Sequence, residues 1–342
     1  MDEFDLHALS RNGLLHSVPA GYLTLERMTA RNASGNTPLH TAARYGALRD
    51  VPAEWLTERT LTLKNDSGYT PLHHAALGGK LDQVPAQFLT AELLSTRSNS
   101  GYTVFHVAAA NGHLDQIPAA LITAEVVLSK TDLGNSLLHE AAEAGTLDRL
   151  PAQFLTAENL LNKNISGETV YHVAALNGNF HQLPATTISN TALLEKTNSG
   201  DTVFHAAAIS GHLEQLPADL LTHDNLVIAT KAGFTAIHAA AETGQLKHIP
   251  TAQLTRDLLL TRNDNGDTPL HAAAYEGHLD QIPFSLMTVD LLNVRNYEGL
   301  TVGRIAISRG FVDQLPPNLR PKEPGLIGKV LLKAGFARPP FA

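Results

Sequence analysis

Histidine is the residue of this chain that first suggests chemistry, because imidazole binds metals and transfers protons near neutral pH. Eight of the 17 histidines recur every 33 residues: His40, His73, His106, His139, His172, His205, His238 and His271. Counting one interval further gives His7 at one end and Arg304 at the other. A catalytic or metal-binding group has no reason to appear nine times at equal spacing. We therefore predict that these histidines have a structural role in a repeated unit.

Other chemical motifs are incomplete. The segment that begins at His139 and Glu140 starts like a zinc-binding helix but lacks the second histidine. Gly328 and Lys329 lack the spacing and the hydroxyl of a phosphate-binding loop, and no Gly-x-Ser-x-Gly elbow occurs. Cysteine is absent, so neither disulfides nor cysteine-bound metal can form. We predict no catalysis, cofactor, metal site or small-molecule substrate.

Residues 68–100 show what one repeat predicts locally. Thr70 is suited to cap a helix, Pro71 to occupy its first position, and Gly79 to end it. Thr90 can cap a second helix, with Glu92 in its positive first turn. Between them lies a proline that recurs in all ten registers and forbids a long continuous helix: Pro19, Pro52, Pro85, Pro118, Pro151, Pro184, Pro217, Pro250, Pro283 and Pro316.

Glycines also recur every 33 residues. One follows the repeat histidine by six residues in all ten registers, and another precedes it by five residues in nine. Two alanines follow the repeat histidine in the complete repeats, from Ala42 and Ala43 onward. Glycine supplies tight or left-handed backbone, and small alanines let neighbouring helices approach closely. The pattern predicts stacked copies of one unit.

The register Gly-x-Thr-Pro-Leu-His-x-Ala-Ala, with Gly-His-Leu at 112–114, 211–213 and 277–279, resembles the ankyrin repeat. The resemblance implies paired antiparallel helices, projecting loops, protein binding on the concave face, and histidines that fix the turn by hydrogen bonding. The recurrent proline departs from the family, since it lies where the second helix normally runs. We predict an all-α, ankyrin-like α-solenoid of about ten 33-residue repeats, each with a helix, a proline turn, a short helix and a loop.

The repeats also predict a division of the chain. Residues 1–34 form an N-terminal capping repeat, and residues 35–298 form eight ankyrin-like repeats. Residues 299–342 form a C-terminal capping repeat with a basic tail, in which residues 326–333 can make a short capping helix. An end repeat has a neighbouring repeat on one side only, which explains why the repeat motif is incomplete in the first and last registers.

Charge and hydropathy limit the partners and the compartment. Residues 101–300 hold 9 basic and 21 acidic residues, a net charge of −12, so we predict no nucleic-acid binding and a protein partner with a basic surface. No apolar run is long enough to span a bilayer, and residues 1–5 do not resemble a signal peptide. We predict no membrane association, and a cytoplasmic protein or one delivered into a host cell without a classical signal peptide.

Two positions vary from repeat to repeat: the residue after the loop glycine, and the end of the first helix. Aromatic and apolar side chains there are suited to anchor a partner: Tyr45, Tyr69, Tyr102, Leu176, Ile209, Phe234 and Tyr275. We predict a protein–protein interaction module or scaffold that binds along one face. Two alternatives stay open: a bacterial or viral effector that blocks a host or defence protein, and an enzyme with its site in residues 317–342.

Overall fold

A computed structural model describes residues 4–19 and 21–320. The predicted capping helix at 326–333, the basic tail and most of the alternative enzyme site lie outside these residues. The chain forms two compact units divided between Ile188 and Ser189. We call them the N-terminal unit and the C-terminal unit and describe each by itself.

The described residues contain 19 α-helices and no β-strand, and we number the helices along the chain. Ten longer helices, one per register, form the stacked element: α1 (Leu6–Arg11), α3 (Pro38–Tyr45), α5 (Pro71–Gly78), α7 (Val104–Ala110), α9 (Leu137–Ala144), α11 (Val170–Leu176), α13 (Val203–Ser210), α15 (Ala236–Glu242), α17 (Pro269–Glu276) and α19 (Val302–Arg309).

Nine short helices of four or five residues alternate with them: α2 (Leu25–Met28), α4 (Glu58–Leu61), α6 (Ala91–Leu94), α8 (Ala124–Leu128), α10 (Ala157–Leu160), α12 (Asn190–Leu193), α14 (His223–Leu226), α16 (Arg256–Leu259) and α18 (Val289–Leu292). Thr or Ser caps each of them, as at Thr90, whose hydroxyl accepts the backbone N–H of Leu93. These are the short helices that the sequence predicts.

The proline segment folds as single 3₁₀ turns, because proline cannot continue a helix from the preceding residues. A 3₁₀ turn precedes the proline in every register: Leu15–Ser17, Leu48–Asp50, Leu81–Gln83, Leu114–Gln116, Leu147–Arg149, Phe180–Gln182, Leu213–Gln215, Leu246–His248, Leu279–Gln281 and Val312–Gln314. Another follows it in seven registers: Ala53–Trp55, Ala86–Phe88, Ala119–Leu121, Ala152–Phe154, Ala185–Thr187, Ala218–Leu220 and Pro317–Leu319.

Within each unit, each longer helix packs against the longer helix of the next repeat. In the N-terminal unit the order is α1, α3, α5, α7, α9 and α11, and in the C-terminal unit it is α13, α15, α17 and α19. The alanine pairs lie in these contacts and are fully buried, as Ala75 and Ala76 show. The residue before the repeat histidine, such as Leu72 or Phe105, is also buried in the core. Each unit is therefore a helical repeat stack.

Glutamine side chains also join neighbouring repeats. Gln182 accepts the backbone N–H of Leu147 at 2.9 Å and donates its amide to the carbonyl of Gly145 at 2.6 Å. Gln116 makes the same pair of bonds to Leu81 and Gly79. Each glutamine thus satisfies polar backbone groups at the end of the preceding long helix, where intrahelical partners run out.

The two repeated glycine positions account for all 19 glycines with positive φ among the described residues. Gly79, for example, ends α5 in the left-handed conformation at φ 63°. An L-residue with a Cβ atom resists that conformation, so the interval of glycines in the sequence marks where the backbone must turn.

Candidate partner-binding face

The repeat histidine closes the first turn of each long helix and also reaches the next repeat. The backbone N–H of Thr70 donates to His73 Nδ1 at 3.2 Å, and His73 N–H donates back to Thr70 Oγ1. Because Nδ1 accepts, the ring proton lies on Nε2, which donates to the carbonyl of Tyr102 at 3.1 Å. Burial lowers the pKa of His73 to about 4. The ring is thus a neutral link between repeats.

The same link recurs through both units. Nε2 bonds a carbonyl in the following repeat for six of the repeat histidines: His40, His73, His139, His205, His238 and His271. His106 Nε2 instead bonds the carbonyl of Ser129 in its own repeat at 3.0 Å. The turn-fixing role implied by the family resemblance is therefore present, and the bond to the next repeat adds to it.

His7 differs from the other histidines of the register. Phe4 stands where the other repeats have Thr or Ser, so no hydroxyl is available there to cap the helix. Asp5 caps α1 instead, and His7 Nδ1 lies 3.1 Å from Thr41 Oγ1 in the next repeat. The shared role expected for nine histidines thus does not extend to His7.

The residue after the loop glycine is half-buried in every described repeat, where the sequence predicted a projecting side chain. Aromatic rings at this position pack on the histidine of their own repeat. The ring centroids of Tyr69 and His73 are 5.1 Å apart, and those of Phe234 and His238 are 5.6 Å apart. One face of these aromatic side chains therefore stabilises the repeat, and the other remains accessible.

The other predicted anchors lie at the ends of long helices. Tyr45 is 44% exposed and lies beneath the guanidinium groups of Arg11 and Arg44. Ile209 is 49% exposed and Leu176 is half-buried. Tyr275 is half-buried under Arg309, 5.4 Å from its ring centroid. Within each unit, we define the variable face by three positions per repeat: the residue after the loop glycine, the residue after the repeat histidine, and the last turn of the long helix.

Tyr69 and Tyr102 lie near a buried carboxylate of the repeat that follows Tyr102. Glu140 is 3% exposed and accepts a hydrogen bond from Asn135 Nδ2 at 3.1 Å. Burial and the negative charge of Glu140 raise the pKa of Tyr102 to about 12. Burial and Glu140 also raise the pKa of Tyr69. Three consecutive repeats thus share one electrostatic cluster.

His74 extends this cluster toward the preceding repeat. Its ring lies 5.1 Å from that of His40, edge to face, and 6.4 Å from that of Tyr69. Burial lowers the pKa of His74 to about 3, so the ring is neutral. Tyr69, His74, Tyr102 and Glu140 form what we call the tyrosine–glutamate cluster.

Sequence reasoning missed His74 and Glu140. Both occupy the position directly after the repeat histidine. That position differs between repeats, with Thr41, His74, Val107, Glu140 and Val173 in succession, although the residues on either side are nearly constant. A variable residue between nearly constant neighbours was the feature of the sequence that could have identified His74 and Glu140.

The described residues contain no group of three or more His, Asp or Glu side chains placed to hold a metal ion. Within residues 4–19 and 21–320, no helix is both long and apolar enough to cross a membrane.

No curated protein matches the chain. The protein-family model described as "Ankyrin repeat" matches residues 265–292, which run from the loop before α17 to the end of α18. The family is in general one of non-catalytic protein–protein interaction modules. The resemblance predicted from the recurrent Thr-Pro-Leu-His register is therefore confirmed: an ankyrin repeat lies at residues 265–292, within a stack whose other repeats share its glycines and capped helices.

Proposed function

We propose that this protein binds a partner protein along the variable face, and that the tyrosine–glutamate cluster is the centre of the contact. The observation that supports this is the packing of Tyr69 on His73 and of Tyr102 on His106 in neighbouring repeats, with ring centroids 5.1 and 6.2 Å apart, close enough to the carboxylate of Glu140 for its charge to raise the pKa of both tyrosines. Tyrosine side chains offer a large, rigid contact area together with a hydroxyl group, which is why they often dominate binding energy. The packing against His73 holds the Tyr69 ring in place before a partner arrives.

The charge of the cluster favours a basic partner. Glu140 and Glu143 both raise the pKa of Tyr102 electrostatically, so their negative charges lie near the contact surface. A lysine or arginine of the partner placed there would offset this field, and aromatic rings also attract cations. We propose a partner whose contact surface is basic, in agreement with the acidic composition of residues 101–300.

The first and last registers support a related proposal. Phe4 stands where the complete repeats have a capping Thr or Ser, and Arg304 stands where they have the repeat histidine. We propose that residues 1–34 and 299–320 serve as capping repeats, and that the repeats between them carry the partner site. The absence of cysteine is compatible with function in the cytoplasm, which we also propose.

The test is a double substitution on the variable face. A partner is captured with the full chain as bait, purified, and titrated against Tyr69→Ala plus Tyr102→Ala. We expect the affinity to fall on the order of tenfold to a hundredfold, because two anchors are removed. The matched control is Tyr297→Ala, since Tyr297 is an exposed tyrosine on a loop outside the variable face.

Stability is measured beside affinity. The tyrosine rings are half-buried, so a modest fall in melting temperature is expected, but both variants must remain folded by circular dichroism at the titration temperature. Equal affinity of the folded double variant and the wild type would remove the cluster from the binding site.

A further inference from the structure

A row of basic side chains runs along the loops of the N-terminal unit, away from the positions used above. Within this unit, Lys or Arg occurs nine residues before the repeat histidine in five consecutive repeats: Arg31, Lys64, Arg97, Lys130 and Lys163. All five are exposed. Lys196 has the same position in the first repeat of the C-terminal unit. We call the row of five residues the loop ridge. The net charge of the chain hides it, because acidic residues elsewhere outnumber these side chains.

Contacts between repeats hold the ridge cations in place. Lys64 Nζ donates to the carbonyl of Arg97 at 2.8 Å, which is the ridge position of the next repeat. Arg97 donates in the same way to Lys130 at 2.9 Å, and Lys130 donates to Lys163 at 2.7 Å. One such bond uses only one of the three N–H donors of a lysine. The remaining donors are therefore presented at fixed positions, which lowers the entropy cost of binding an anion.

Acidic side chains interrupt the ridge in alternate repeats. Arg31 pairs with Asp66, with its NH1 3.7 Å from Oδ1, and Arg97 pairs with Asp132 at 3.1 Å. Among the described residues, no such ion pair involves Lys64 or Lys130. From Arg31 to Lys130 the ridge thus alternates between arginines that pair with an aspartate and lysines that do not.

Two exposed apolar side chains lie beside the lysines. Leu133 is 55% exposed and Ile165 is 62% exposed, in adjacent loops where other repeats mostly have Asp, Asn or Ser. The backbone N–H of Ile165 donates to the carbonyl of Leu133 at 3.1 Å, so the two residues are direct neighbours. Adjacent exposed apolar groups on a polar rim are typical of a contact site.

We propose that the loop ridge binds an extended acidic peptide that carries a carboxylate at every third residue and an apolar side chain over Leu133 and Ile165. Packed helices are about 8–10 Å apart, and three residues of an extended chain span about 10 Å. One carboxylate can therefore meet one ridge cation per repeat. The phosphates of duplex DNA follow each other at about 3.4 Å per strand, so some would face Asp66 and Asp132, which disfavours nucleic acid.

The probe is a fluorescein-labelled 14-residue peptide with Glu at every third position, one Leu near its centre and Thr or Val elsewhere, titrated by fluorescence anisotropy against the full chain. We expect the double variant Lys64→Gln plus Lys130→Gln to bind on the order of tenfold more weakly, because two cations are lost. Asp66→Asn plus Asp132→Asn should bind a few-fold more tightly, since two competing carboxylates are removed.

Three controls separate recognition from structural support. Lys64→Arg plus Lys130→Arg should bind like the wild type, because Arg31 and Arg97 show that arginine fits the position. Lys80→Gln removes one positive charge just after the end of a long helix, away from the ridge. It should change the affinity for the probe less than twofold. Leu133→Ser plus Ile165→Ser should weaken binding of the probe but not of a peptide without its Leu.

The proposal is overturned if Lys64→Gln plus Lys130→Gln binds as well as the wild type, or no more weakly than Lys80→Gln. It is also overturned if a peptide of the same composition with its Glu residues consecutive binds equally well. Tighter binding of a single-stranded oligonucleotide, with the same variant pattern, would assign the ridge to nucleic acid instead. Melting temperatures of all variants show whether a loss of affinity reflects a loss of folded protein.

Discussion

The repeat histidine is the residue on which both structure and stability depend. One ring nitrogen accepts a backbone N–H within its own repeat, and the other donates to a carbonyl of the next, as His139 does to Glu168 at 3.2 Å. Protonation of Nδ1 would remove its acceptor lone pair and place a charge in a buried site. The neutral form is therefore the only one that fits the fold.

This requirement predicts a stability that falls in mild acid. Burial lowers the pKa to about 4 in His40, His73, His106, His139 and His238, below the ordinary value of 6.5. Between pH 6.5 and 4 the unfolded chain binds more protons than the folded chain, so the free energy of unfolding decreases as the pH falls through this window. Each histidine contributes about 1 to 3 kcal/mol to the decrease.

Urea denaturation at pH 8, 7, 6, 5 and 4.5 measures the effect. We expect little change from pH 8 to 7 and a steep loss from pH 6 to 4.5. A free energy of unfolding that stays constant down to pH 4.5 would show that these rings are protonated without harm, in conflict with the hydrogen bonds described.

The repeat histidines also show what the sequence alone could predict about single residues. Their spacing was enough to predict a structural role, because a catalytic or metal-binding residue would not recur nine times at equal intervals. The bond to the next repeat was not predictable, since it depends on where the following loop places its carbonyl. Glu140 was missed for a related reason: its contact with Tyr102 exists only after two repeats have stacked.

At the scale of the element, the recurrent proline determines the shape of each repeat. Pro85 is followed by a 3₁₀ turn at Ala86–Phe88 rather than a second long helix. The sequence predicted this departure from the ankyrin pattern because proline lacks an N–H donor and restricts the residue before it. It did not predict the glutamine clamp, by which we mean the two bonds that Gln116, Gln182 and Gln314 each make to the backbone of the preceding repeat. These three glutamines share one register of the sequence.

The glutamine clamp can be tested directly. Gln182→Ala removes the bonds to the N–H of Leu147 and the carbonyl of Gly145. We expect a loss of about 1 to 2 kcal/mol in the free energy of unfolding, since two partly buried backbone groups lose their partner. Gln87→Ala, at an exposed position of a proline turn, is the matched control and should change stability by less than about 0.5 kcal/mol. Equal effects of the two substitutions would contradict a role for the clamp.

At the scale of the whole molecule, charge is distributed by region. Residues 101–300 carry a net charge of −12, although the chain as a whole carries −8. A field of this sign attracts a basic partner over a distance of about one Debye length. Residues 101–300 also include Glu140 and Glu143, whose charges act on Tyr102. The long-range attraction and the short-range contact would therefore favour the same basic partner.

We therefore expect association with the captured partner to depend on ionic strength. The association rate constant should fall on the order of tenfold or more when NaCl is raised from 50 to 500 mM, because salt screens long-range attraction. The dissociation rate constant should change less. Stopped-flow measurement of both constants checks this, and an association rate that is indifferent to salt would exclude electrostatic steering.

Hydrogen–deuterium exchange of the full chain, with and without the captured partner, tests the central claim most directly. The account predicts that the partner slows amide exchange at residues 69–78, 102–111 and 135–144, where the variable face and the tyrosine–glutamate cluster lie. The short helices α4, α6 and α8 should exchange at unchanged rates. Protection confined to those short helices, with none at Tyr69 or Tyr102, would contradict the assignment of the binding face.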